Sequence, residues 1–399
     1  MKVGMVLIYV GIDVAKDKHD CCILGDSGTC LRESFSFSND KEGFSKLIAA
    51  ISAVSGKSAD SSQIRTGLEA TGHYSANLVA FLRSSGFQPV VFNPLRVKLY
   101  RQAISLRRTK TDKADAKCIA GILMSEVSSP VTVSYQIQEL KSLTRHRHRL
   151  VAICSRSKVS MSRMVDLLFP ELPSLGLRTG QASTLALMAE LPGADMIAAC
   201  RIDRLTNILR YASKGRYGRE KAEAIKSMAK NSIARTSKAL SLELSQVIEQ
   251  IRFFKRQIAF LDRQIAAMVA EINTPLLTIP GIGFRTAAVI LAEIGDIRRF
   301  KKPDQLQAFA GLDPSTYQSG KFNAANTPMV KHGSTYLRWS LMQAARLCSI
   351  HCRDFRNYME HKIAQGKHYF VALGHLSKKL IRVIFHMLYT NEVFVSMAA

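Results

Sequence analysis

Four acids in the first third of the chain have the types and spacing for metal-assisted phosphate chemistry. Asp13 follows an almost continuous apolar run, Val6 to Ile12, and Glu69 sits near the end of a second extended segment, Ile64 to Ala70. Asp112 and Asp115 open an apolar helix marked by Ile119, Ile122 and Leu123. Three residues apart, they share one face near the helix's positive end, with Thr111 as the expected N-cap. Four carboxylates drawn together repel one another unless cations lie between them. Mg²⁺ favours oxygen ligands, and two ions about 4 Å apart can activate an attacking oxygen and stabilise the leaving oxygen of a phosphodiester. The expected cofactor is therefore Mg²⁺, as two ions, with Mn²⁺ as a substitute. Each acid alone reads as a cap or a solvated group; only the grouping points to chemistry. Asp17 and Asp20 compete with Asp13 and are set aside because they lie past the expected strand end.

Other residues extend the candidate chemistry. Ser319, in Tyr317-Gln318-Ser319-Gly320-Lys321, lies in a polar loop between Pro314 and the basic segment Met329-Val330-Lys331-His332-Gly333. A serine beside glycine and cations can attack a phosphodiester once a base or metal removes its proton, although alone it reads as a turn residue. Leu277 to Ala287 reads as helix, glycine turn, helix. In such a helix-hairpin-helix, Gly281 and Gly283 let backbone N–H groups approach a phosphate, but the same glycines also permit close helix packing. Cations expected on nucleic acid are Arg107, Arg108 and Lys110 beside the aspartate pair, Arg145, Arg147 and Arg149 on a basic helical stretch, and Arg285, Lys321 and Lys331. Cys348, His351 and Cys352 have helical spacing but lack a second ligand pair, so they read as a helix face rather than a zinc site.

These residues need a scaffold, and the chain supplies one in three parts. Residues 1–135 carry extended segments at Val6–Ile12, Asp20–Leu24 and Cys30–Phe37, then a helix from Lys41 to Val54. Strands at Ile64–Ala70 and Gln88–Phe92 follow, with helices at Tyr74–Ser84 and Leu95–Ile104. Three antiparallel strands followed by helix–strand alternation is the order of a ribonuclease-H-like α/β domain. Residues 136–273 are helical. A basic stretch runs from Ser142 to Leu168, a poorly patterned region near 172–235 breaks at Ser213 to Glu220, and a heptad seam closes the part. The seam runs through Leu240, Leu244, Val247, Ile251, Phe254, Ile258, Leu261, Ile265, Met268 and Ile272. It requires a partner helix, from a second copy or from the earlier basic helix folded back. Prolines 275 and 280 end it, and residues 274–399 form a mainly helical C-terminal domain.

Composition narrows the partners. With 399 residues, 47% of them hydrophobic, the chain can fill more than one core. A net charge of +25 favours a polyphosphate partner. No apolar run approaches the ~20 residues that span a bilayer, and eight cysteines in mostly apolar surroundings do not make a disulfide framework. A cytoplasmic protein with no membrane role is expected.

Five ordered blocks carry a resemblance: Gly11-Ile12-Asp13-Val14-Ala15-Lys16, Leu68-Glu69-Ala70-Thr71-Gly72, Lys110-Thr111-Asp112-Lys113-Ala114-Asp115-Ala116, Ile279-Pro280-Gly281-Ile282-Gly283 and Phe309-Ala310-Gly311-Leu312-Asp313-Pro314. Together they resemble the DEDD-type insertion-sequence transposases related to the Piv DNA invertases. The resemblance implies a RuvC-like N-terminal domain whose Asp13, Glu69, Asp112 and Asp115 bind Mg²⁺. It also implies a nucleophilic Ser319 that joins covalently to DNA, and a composite site drawn from different domains and subunits of a homo-oligomer, dimer or tetramer. The coiled coil would serve assembly. It further implies donor and target DNA as partners and a structured guide RNA from the same element. Three rivals compete: a Holliday-junction resolvase using the acids without the serine, an actin-like ATPase or sugar kinase, and a basic nucleic-acid scaffold in which the acids are incidental.

Overall fold

The computed structural model describes residues 7–55, 63–70, 73–104, 111–125, 135–315, 318–319, 322–323 and 328–396. The chain divides into two units, Met1–Thr132 and Val133–Ala399, each considered by itself.

The first unit is a mixed α/β layer structure. Its strands are β1 (Ile8–Val14), β2 (Lys18–Leu24) and β3 (Cys30–Ser38), then α1 (Lys41–Ser55), β4 (Ile64–Glu69), α2 (Ser75–Ser84), β5 (Val90–Phe92), α3 (Pro94–Ile104) and α4 (Asp112–Ser125). The five strands form one sheet in the order β3-β2-β1-β4-β5. β1 pairs antiparallel with β2, β2 antiparallel with β3, and β1 and β5 each pair parallel with β4. Strand residues alternate between faces. Val10, Ile12 and Val14 join Phe44 and Leu47 of α1 and Leu78 and Leu82 of α2 in one core. Tyr9, Cys22 and Leu24 face the other way and join Val97 of α3 and Ile119, Ala120 and Leu123 of α4. Burial on both faces explains why β1 reads as an unbroken apolar run. The strand extends past that run through Asp13 and Val14, because β2 returns alongside and pairs with both.

Helices build the second unit. They are α5 (Tyr135–Leu168), α6 (Ala182–Glu190), α7 (Ala194–Ala199), α8 (Ile202–Ala212), α9 (Arg219–Lys230), α10 (Lys238–Ile272), α11 (Phe284–Ile294) and α12 (Pro303–Phe309). A small hairpin of β6 (Gln318–Ser319) and β7 (Phe322–Asn323) follows, then α13 (Thr335–His351), α14 (Arg353–Ala364) and α15 (Tyr369–Thr390). The heptad seam finds its partner within the chain. α5 lies antiparallel along α10, tied by Gln136–Glu271 and Arg147–Asp262 near one end and Arg163–Glu243 near the other. Leu244, Val247, Ile251, Leu261 and Ile265 of the seam are buried, and Ser237 caps α10 by accepting from the Leu240 N–H. The region near 172–235 resolves into short helices that pack on the α5–α10 pair in one core, and left-handed Lys214 and Gly215 turn the chain between α8 and α9. A second core gathers α11 to α15 around the other end of the pair. Among the described residues, no helix is long and apolar enough to cross a membrane.

Candidate catalytic site

Two glycines set the position of the aspartate pair. Gly11 of β1 and Gly67 of β4 are in register, and α4 crosses them closely. A methyl group on Gly11 would overlap the Ala116 carbonyl and the Ala120 backbone, and one on Gly67 would meet the Leu123 side chain. Only residues without a Cβ admit a helix backbone this near a strand. With its middle over Gly11 and its later turns over Gly67, α4 crosses the sheet, and near its start the Ser34 hydroxyl of β3 donates to the Lys113 carbonyl at 3.2 Å; Asp13 lies near the carboxyl end of β1 and Glu69 at that of β4. Thr111 caps that N-terminus by accepting from the Ala114 N–H at 3.3 Å, as expected from sequence.

The four acids share one electrostatic environment. The Asp13 carboxyl is raised from its ordinary 3.8 to about 6, first by burial and then by the charges of Asp115, Glu69 and Asp112. Asp115 is buried, while Asp112 at the helix start is exposed. Arg101 of α3 reaches over to Asp115, with Nη1 2.5 Å from Oδ1. That pairing draws the arginine further into its charged form. Among the described residues, no three His, Cys, Asp or Glu side chains converge on a point that could hold an ion. The donor set suits a hard divalent cation because it is all oxygen and self-repelling.

Asp20 lies past the end of β1, as expected, and within the second strand, where β2 sets it directly opposite Asp13. It is buried and accepts a 2.6 Å hydrogen bond from the Ser36 hydroxyl. The cause is the two-residue extension of β1, which brings β2 back in register with Asp13. Asp17 stays in the exposed connection.

The serine candidate belongs to the second unit. Gln318 and Ser319 form one limb of the small hairpin, with Ser319 opposite Phe322, where a polar loop was expected. Backbone pairing continues at its root. Pro314 and Met329 form a bridge, the Ser315 N–H donates to the Pro328 carbonyl, and the Val330 N–H donates to the Asp313 carbonyl. Lys331 follows in a left-handed conformation, exposed, its carbonyl accepting from Arg338. Arg107, Arg108, Lys110 and Lys321 lie outside the described residues.

Several of the expected nucleic-acid cations have partners inside the unit. Arg145 makes a bidentate pair with Glu293 through Nε at 2.7 Å and Nη2 at 2.9 Å. Burial would raise the Glu293 carboxyl, but Arg145, Lys141 and Ser334 together hold it below its ordinary value. Arg147 and Arg285 both bind Asp262, which joins α5, α10 and α11. Arg149 is exposed, and among the described residues no acid pairs with it. Nothing in sequence spacing distinguished Arg149 from its neighbours, because the deciding partners lie more than 100 residues away.

The two glycines of the expected hairpin part ways. Gly281, at φ +102°, lies against α13, where a Cβ would come within 2.6 Å of the Cys348 nitrogen. Gly283 precedes α11 with open space around it. The first limb is a single 3₁₀ turn, Pro275–Thr278, rather than a full helix, because prolines 275 and 280 bracket it. Cys348 and Cys352 are core residues, and burial pushes the Cys348 thiol up to about 12, the behaviour of a protonated packing group.

Comparison with known proteins converges with this geometry. Residues 10–170 match a DEDD transposase family, and residues 273–360 match the transposase IS116/IS110/IS902 family. A mini-circle putative transposase for IS117 from Streptomyces coelicolor is 26% identical, covering 97% of this chain and 95% of its own. A pilin gene-inverting protein from Moraxella bovis is 24% identical over 97% of each chain. A protein of insertion element IS116 from Streptomyces clavuligerus is 26% identical over 97% of this chain and 96% of its own. Both ends of the chain match transposase family models and relatives align along nearly its full length, so the chain is similar throughout to IS116/IS110/IS902 transposases and to pilin gene-inverting proteins.

Proposed function

We propose that this chain cuts and rejoins DNA strands to move an insertion sequence, using the acid quartet of a RuvC-like first unit and Ser319 of the second. The observation that carries the reading is the grouping of Asp13 near the end of β1, Glu69 at the end of β4 and Asp112 and Asp115 at the start of α4, with Asp13 raised first by burial and then by the charges of Asp115, Glu69 and Asp112. It marks a site whose stable charge state calls for added cations. The strand order, with the acids at the carboxyl ends of parallel β1 and β4 and at the start of α4, supports the RuvC-like assignment. Bound Mg²⁺ would neutralise the phosphate's charge and polarise its oxygens. Asp13, Glu69, Asp112 and Asp115 would hold it, and Arg101 would release Asp115 as it enters.

In the chemical step, the Ser319 hydroxyl attacks phosphorus and loses its proton. The P–O bond to the leaving DNA strand breaks, and that oxygen departs with a proton. Reversal with a new strand end restores the serine and rejoins the backbone. The Pro275–Phe284 turn would place the N–H groups after Gly283 against a DNA phosphate, with Arg149 and Lys331 as backbone contacts. Donor and target DNA, a guide RNA from the same element and a homo-oligomer complete the proposed assembly, and the charge of +25 suits both nucleic acids.

The test is a labelled element end carrying a leaving group that cannot return. The parent should form a protein–DNA adduct that maps to Ser319, and Ser319→Ala should form none while retaining DNA affinity. Cleavage by Ser319→Ala at the parent's rate would instead mark a resolvase-like nuclease without a covalent intermediate.

A further inference from the structure

Trp339 is the only tryptophan in the chain, and its side chain is half in solvent, 51% exposed. It belongs to a small aromatic group between α5 and α13. The His148 ring stands nearly perpendicular to Trp339 at 5.7 Å and to Tyr336 at 5.0 Å. Among the described residues, no ring lies parallel against the indole.

The group is held firmly from beneath. The Arg145 guanidinium lies 4.9 Å from the centre of the Tyr336 ring and is fixed by its bidentate pair with Glu293, whose side chain is 1% exposed. Ser334 donates to the same carboxylate at 2.8 Å and accepts from the Leu337 N–H, so one buried acid anchors both Arg145 and the start of α13. Tyr336 and Trp339, three residues apart, lie on one face of that helix.

Beneath the platform the one acid, Glu293, is buried and paired with Arg145, and the two segments that carry the rings are free of acids. From residue 140 to 165, and again from 314 to 353, the sequence contains no aspartate or glutamate. These stretches include the part of α5 that bears His148, all of α13 and the hairpin with Ser319. Exposed Arg149, Lys331 and His332 belong to them. A partly exposed indole on a rigid support, on segments that carry cations and no acids and above a Glu293 already neutralised by Arg145, has the chemistry of a single-strand platform. The ring takes the base and the cations take the phosphates.

We propose that Trp339, supported by His148 and Tyr336, stacks an unpaired base of single-stranded DNA. The inference rests on the strand-exchange reading for the source of that strand, since exchange exposes unpaired bases, and it assigns a binding residue that reading does not require. A base inside a duplex is already stacked on its neighbours and has no free face for the indole, so duplex DNA gains nothing from Trp339.

The single tryptophan makes the test site-specific. The full-length protein is titrated, without divalent ions, with a short single-stranded DNA, its duplex and the RNA of the same sequence. Indole fluorescence and the anisotropy of a label on the nucleic acid are followed together. The expected result is saturable quenching by single-stranded DNA in step with anisotropy, and duplex binding without quenching. Trp339→Ala should weaken single-strand binding about tenfold, leave duplex affinity unchanged and keep the parent's circular dichroism. Trp339→Phe should recover most of the loss. Unquenched fluorescence at saturating single-stranded DNA, undiminished affinity in Trp339→Ala, or quenching by RNA alone would overturn the assignment. Because no metal is present and no strand is cut, these outcomes are independent of whether the acids bind Mg²⁺ or Ser319 forms an adduct.

Discussion

At the scale of single residues, Asp13 concentrates the cost of the site. A carboxyl raised from 3.8 to about 6 binds its proton more tightly in the folded chain than in the unfolded one. Without metal, its contribution to stability is therefore greatest below pH 4, falls as pH rises from about 4 to 6, and is flat beyond. Asp13→Asn removes that decline. Its advantage over the parent should grow through this window and reach about 2 kcal/mol at pH 7, read as a higher melting temperature in chelator. A variant no more stable than the parent at pH 7 would remove Asp13 from the shared field. Residue types and spacing made the four acids legible in the sequence. The Arg101–Asp115 pair was not legible, because it depends on how α3 crosses α4, nor was the place of Asp20 opposite Asp13, which depends on where β1 ends.

Elements explain why those residues meet. The alternation of apolar runs marked β1, β4 and the helices to within a few residues, because a sheet buried on both faces needs apolar side chains at nearly every position. The role of the Gly11–Gly67 pair in seating α4 is not legible in the sequence, since a glycine's purpose is visible only once the helix above it is known. Gly11→Val should unseat α4, lower the stability of the first unit by several kcal/mol and abolish strand cutting while the helical unit keeps its fold. The check is limited proteolysis of the full chain, with resistance of residues before 133 equal to the parent's as the contrary result. In the second unit, periodicity located the α10 seam but not its partner, because a heptad stripe is equally satisfied by any complementary helix. Since α5 supplies the partner in the same chain, Ile251→Ala should cost about 2–5 kcal/mol. It should leave the oligomeric state unchanged in light scattering at temperatures where the variant remains folded, and dissociation would mean that copies share the seam.

For the whole molecule, charge decides what the surfaces meet. The excess of cations is only partly free, because Arg145, Arg147 and Arg285 are bound to Glu293 and Asp262 within the helical unit. Composition counted them all alike; ion pairs between residues far apart in sequence separated those that hold the fold from those facing solvent. The remaining cations should still make affinity for DNA steeply salt-dependent, falling by about a thousandfold between 50 and 200 mM salt. A shallow slope in a filter-binding series would indicate that few phosphates are contacted.

The central claim is that Asp13, Glu69, Asp112 and Asp115 form one site for divalent ions, and titration of the full chain with Mn²⁺ under electron paramagnetic resonance addresses it directly. Saturable binding displaced by Mg²⁺, and lost in both Asp13→Asn and Asp115→Asn with the fold intact, is the predicted result. No bound Mn²⁺ in the parent, or undiminished binding in the two variants, would contradict it.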